Sequence, residues 1–173
     1  MCNFDPNLLS IGWPRIGPQP PDRNMVRTLF SLYAGPAGAL TQITQYLYNV
    51  LLCTAAEQLE ASDLFGSASR DCMFHLKRLG QMIAHYGGDP RFLNFQGNRP
   101  QWWTAGAVHY QQDLCAMLRR AIALTRQSIT AYEDIAKRME PEPRAVIQRI
   151  LLDQNHYLDL FECMLREQNC VTG

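Results

Sequence analysis

An internal duplication constrains the fold of this chain more than any other feature. Ile43-Thr44-Gln45-Tyr46 recurs 86 residues later as Ile129-Thr130-Ala131-Tyr132, and His75 with Leu79 recurs 81 residues later as His156 with Leu160. Two similar offsets in the same order predict two helix pairs facing one another, with one histidine on the second helix of each pair.

The chain is 173 residues long, enough for about one domain with a real core. At 47% hydrophobic and 18% charged it has the balance of a buried-core protein rather than a disordered one. Sixteen basic residues offset sixteen acidic ones, so no bulk charge favours nucleic acid or an anionic membrane. Met1 to Asp5 show neither the basic start nor the apolar run of a signal peptide. No stretch reaches the roughly 18 apolar residues of a spanning helix. A cytoplasmic protein is the expectation. Cys2, Cys53, Cys72, Cys115, Cys163 and Cys170 are scattered, with no Cys-x-x-Cys pair, and are expected to be reduced thiols acting as small apolar residues.

Residues 1–23 hold five of the ten prolines and read as an extended arm that either wraps its own bundle or reaches a neighbouring subunit. Residues 24–173 form the domain. Asn24 is a plausible cap for a short helix that stops at Gly35-Pro36. Leu40, Ile43, Leu47, Val50 and Leu51 recur at helical spacing in a second helix, about 37–60. Ser62 or Asp63 would cap a third, ending near Gly87-Gly88-Asp89-Pro90. A polar connection leads past Trp102-Trp103 to helices over about 105–139 and 142–168, the second opening on Pro141 and Pro143. No segment reads as a strand. The expected class is all-α: a four-helix bundle with a long crossover, preceded by a short helix and an arm.

In a carboxylate-bridged di-metal bundle, one helix of each pair gives a lone Glu and the other a Glu-x-x-His. The i, i+3 spacing puts carboxylate and imidazole on one face. The repeat fixes the six matching positions here as Ala39, Cys72, His75, Thr125, Asp153 and His156. No acidic residue lies between Asp22 and Glu57, or between Asp113 and Glu133, so no carboxylate substitutes along the middle of the first and third long helices. Glu57 shares the phase of Ala39 but lies about 27 Å away. Asp71 points about 100° off the face of Cys72. Only Asp153 keeps an acid.

Gly35-Pro36-Ala37-Gly38, followed by Leu40 and Gln45-Tyr46, resembles the helix opening of the manganese-catalase branch of ferritin-like proteins, whose pattern has Glu at the place of Ala39. Met73-Phe74-His75-Leu76 and Ile150 to His156 resemble that branch's two Glu-x-x-His segments. The resemblance spans residues 24–168. It implies a ferritin-like fold and, in relatives with intact ligands, a di-manganese or di-iron site for peroxide or dioxygen chemistry. By the same resemblance, oligomers or related ferritin-like subunits are the expected partners, with no nucleic acid and no membrane.

With Ala39, Cys72 and Thr125 at ligand positions, the core loses the repulsion of facing glutamates and needs no metal to fold. The expected function is therefore a non-catalytic, structural or assembly role around a vestigial site, with no cofactor. One alternative is a single zinc, iron or manganese ion on Cys72, His75, Asp153 and His156, a donor set that suits tetrahedral zinc. Another is a small ligand in the space beside Ala39. A bis-histidine haem between His75 and His156 has no propionate-binding signal to support it. In the metal-free reading the two histidines bond Thr125, Tyr46, Tyr132 or each other.

Overall fold

The computed structural model describes residues 11–170. A short helix α1 (Arg23–Ala34) precedes four long ones: α2 (Ala39–Ala55), α3 (Leu59–His85), α4 (Leu114–Ala136) and α5 (Pro141–Glu167). α2 packs along α3 and α4 along α5, so the two halves of the duplication are two antiparallel hairpins. Among the described residues no helix is long and apolar enough to cross a membrane.

Local chemistry sets the boundaries. Asp22, rather than Asn24, caps α1 by accepting from the backbone N–H of Asn24 and Met25. Gly35 follows α1 because a Cβ there would lie 2.2 Å from the Ser31 carbonyl oxygen, which explains the Gly-Pro-Ala-Gly turn into α2. α3 begins at Leu59, before the Ser62 or Asp63 cap read from the sequence, and ends where Gly87 takes a positive φ of 85°. Pro141 opens α5 as expected.

The crossover departs most from the sequence reading. It carries an antiparallel hairpin, β1 (Leu93–Gln96) with β2 (Arg99–Trp102), where no strand was expected. α4 begins at Leu114, capped by Asp113, and not near 105. Residues before it are held off helical geometry by α2. The Gln45 side chain accepts from the His109 N–H at 2.8 Å and donates to the His109 carbonyl at 2.9 Å. Trp103 Nε1 bonds Thr41 Oγ1 at 3.0 Å. The crossover thus lies along α2 and buries Thr41, Gln45 and Asn49.

The arm wraps its own bundle over the residues described here; residues 1–10, with Pro6 and Cys2, lie outside the described residues. Gly17 N–H donates to Glu142, Gln19 N–H to the His85 carbonyl, and Asp22 N–H to the Tyr86 carbonyl. Phe30 and Tyr33 of α1 belong to the buried core.

Two apolar clusters fill the interior. Leu29, Leu79, Ile83, Tyr132, Ile147 and Ile150 occupy one end; Phe65, Leu118, Leu124 and Phe161 occupy the other. Between them, every long helix contributes buried polar residues: Gln42, His75, Thr125 with Ser128, and Asp153 with Gln154. The cysteines differ from expectation. Cys53 and Cys72 are buried free thiols, but Cys115 and Cys170 form a disulfide and Cys163 is also disulfide-bonded. Spacing alone does not reveal such pairings, because the bridge joins the start of α4 to the chain beyond α5.

Candidate functional site

The polar layer is a chain of hydrogen bonds with a fixed direction. Gln42 Nε2 donates to the Ala37 carbonyl at 3.1 Å, which turns its Oε1 inward. That oxygen accepts from the Cys72 thiol at 3.2 Å and from Gln154 Nε2 at 3.0 Å. Gln154 Nε2 also lies 3.4 Å from His75 Nδ1. An amide nitrogen only donates, so Nδ1 is the acceptor and the ring proton sits on Nε2, which donates to Asp153 Oδ2 at 2.9 Å. Arg149, one turn before Asp153 on α5, bonds the other oxygen, Oδ1.

His75 is fully buried, Arg149 is 5% exposed, and Asp153 is the only buried carboxylate among the described residues. Burial alone would raise the Asp153 pKa. The hydrogen bonds and charges of His75 and Arg149 outweigh it and hold the carboxyl below its usual value of 3.8. Burial, reinforced by the charge of Asp71, pushes the Cys72 thiol far above its ordinary range, so it is a protonated donor rather than a thiolate. Asp71 itself accepts from the Tyr157 hydroxyl at 2.6 Å.

The arm closes this layer. Arg149 Nε donates to the Ile11 carbonyl at 3.1 Å, and its guanidinium carbon lies 5.0 Å from the centre of the Trp13 ring. Trp13 also meets the His75 ring edge-on at 5.9 Å and carries Arg78 at 5.4 Å. Of the two courses the sequence left open for the arm, Trp13 thus takes the first and packs on its own chain.

Of the six ligand positions, His75 and Asp153 touch directly, and Cys72 lies one turn along α3 in the same layer. Thr125 bonds Tyr46 at 2.9 Å, and Ala39 is buried one turn before Gln42. His156 is half-buried, with its ring 5.5 Å from that of Tyr157. His75 therefore bonds Asp153 and Gln154 rather than Thr125, Tyr46, Tyr132 or His156. Among the described residues no group of three or more His, Cys, Asp or Glu is placed to hold a metal ion. Gln42, Arg149 and Gln154 were missed because a search for ligands passes over amides and cations. Arg149 was legible as the i−4 partner of the one acid in the layer.

No family model and no curated protein matches the chain. Solved structures do. The manganese catalase KatB of Anabaena superposes with a TM-score of 0.79 at 22% identity, over 92% of this chain and 78% of that one. The bacterioferritin of Rhodobacter capsulatus gives 0.74 at 14% identity, and BfrA, the bacterioferritin of Mycobacterium tuberculosis, 0.72 at 16%. Each of these two matches covers 87% of this chain and 89% of the other. With its paired antiparallel helices, long crossover and mid-bundle polar layer, the chain has the ferritin-like fold.

Proposed function

We propose that this chain is a non-catalytic ferritin-like protein, related to manganese catalases, whose central site is a structural polar layer and whose role is assembly with its own copies or with related ferritin-like subunits. One observation carries the proposal: both oxygens of Asp153, the only buried carboxylate among the described residues, are engaged, one by His75 and one by Arg149. Two divalent ions in a buried core need several anionic ligands to balance them. One carboxylate already paired with a guanidinium does not fit that requirement. Ala39 and Thr125 contribute no charge, and Cys72 is protonated.

An assembly role has support from the outer faces of α2 and α3, where Leu47, Leu51, Met73 and Phe74 are each more than half exposed. The disulfides fit a chain that meets an oxidising environment and weigh against the cytoplasmic expectation. A mononuclear metal centre is the rival reading, favoured by the direct contact of His75 with Asp153. The test is peroxide disproportionation by protein expressed with manganese and iron supplied, alongside its mass by light scattering. The proposal expects an oligomer with no turnover above buffer; turnover abolished by His75→Ala would overturn it.

A further inference from the structure

We infer that Arg149 is the resident cation of this centre: its guanidinium, held by the arm, takes the electrostatic place of a metal ion at Asp153 and bars a divalent transition-metal ion from binding there. The inference rests on the reading of the site as a structural layer and adds what enforces it.

The duplication supplies an internal control. Asp153 matches Cys72, and Arg149, four residues earlier, matches Ala68. Where the layer keeps an acid, the preceding turn carries a cation; where it has a neutral thiol, the preceding turn carries a fully buried alanine. Acid and cation occur together in one half and are both absent from the matching positions of the other. A buried carboxylate without a counter-charge is costly, and a guanidinium supplies that charge with directed donors.

The cation is also fastened at a second point. The Ile11 carbonyl takes its Nε–H and the Trp13 ring lies against its face, both from the arm. A metal ion seeking Asp153 would meet an anchored positive charge that cannot withdraw without breaking these contacts. It would also have to compete for the oxygen that His75 holds. Remove the charge alone, and His75 with Asp153 become an imidazole–carboxylate pair suited to such an ion.

The experiment uses the full chain and Co2+ as probe, read by calorimetry and by visible absorption, in wild type, Arg149→Met, Arg149→Lys and the double variant Arg149→Met/His75→Ala. The expected result is one Co2+ per chain for Arg149→Met, bound at least about tenfold more tightly than by wild type and lost in the double variant. Arg149→Lys keeps the charge and stays like wild type. A folded Arg149→Met that binds no more tightly than wild type overturns the inference, as does Arg149→Lys binding as Arg149→Met does. Should Arg149→Met lose its helical circular dichroism, recovery on adding Co2+ supports the inference and no recovery overturns it. Stoichiometric binding by wild type through His75 overturns the structural-layer reading as well, so the two failures are told apart.

Discussion

The two halves of the duplicated bundle have the same helices and opposite polar economies. In the α2/α3 half the layer is built from neutral pairs, Gln42 with Cys72 and Tyr46 with Thr125 of the other half, and the buried Asn49 Nδ2 is its one unpartnered group among the described residues. In the α4/α5 half, the residues matching Gln42 and Tyr46 are Ser128 and Tyr132. Both hydroxyls are buried, and neither has a hydrogen-bond partner among the described residues. The reason is legible in the repeat. Tyr46 bonds the residue seven before Tyr132, and the residue seven before Tyr46 is Ala39, which has no hydroxyl to offer. The α4/α5 half instead carries the buried ion pair and the Cys115–Cys170 disulfide, whereas Cys53 and Cys72 of the other half are free. A symmetric fold does not need symmetric interactions: one half rests on neutral hydrogen bonds, the other on charge and covalency.

Breaking the ion pair gives the largest expected effect. Arg149→Met leaves Asp153 buried with His75 alone and costs about 3–5 kcal/mol in urea unfolding. Cys72→Ala, at the matching position for Asp153, removes only the neutral bonds to Gln42 and Gln154 and costs about 1–2 kcal/mol. Near-equal losses would erase the contrast. Reduction comes next. Cys115 and Cys170 are 55 residues apart in sequence, so opening their bridge lowers stability by about 4 kcal/mol in the chain-entropy treatment. The Cys115→Ser variant isolates that loss without reductant, which would also open the bridge at Cys163.

The tyrosines sharpen the comparison on a smaller scale. Tyr46→Phe strands the buried Thr125 hydroxyl and costs about 1–2 kcal/mol, whereas Tyr132→Phe removes an unpartnered hydroxyl and is neutral or stabilising. Ala39→Thr supplies the missing partner and recovers about 1 kcal/mol, provided the added atoms fit the packed core. A double-mutant cycle of Ala39→Thr with Tyr132→Phe isolates that bond.

Acid gives the last contrast. The folded pKa of Asp153 is depressed, so its contribution is fully present above the unfolded value near 3.8 and is lost as pH falls through the lower folded value. Asp153→Asn should flatten unfolding free energy against pH in that acid range and leave its slope near neutrality unchanged.

The bundle was readable because it rests on long, uninterrupted helical periodicity marked twice by the same residues. The hairpin was not, because four-residue strands containing Pro100 and exposed polar side chains look like a loop. The start of α4 was placed about nine residues too early because nothing between Ala107 and Asp113 breaks a helix locally; the restraint is the Gln45 clamp on His109, a contact between distant parts of the chain. Within the site, His75 and Asp153 were found by spacing, as positions in a repeat. What they bond to was set by packing: Gln154 turned inward beside Asp153, Gln42 arrived from α2, and the arm folded back to bring Trp13 onto Arg149.

Metal content of the wild-type chain bears most directly on the claim that Arg149, and not a metal, balances the buried carboxylate. Untagged protein grown with manganese, iron and zinc supplied and purified without chelator would be analysed for its elements. Less than about 0.1 metal per chain is the expected result, since a centre already neutralised by a guanidinium has no charge left to offer an ion. One or more metal ions per chain, lost in His75→Ala, would contradict it.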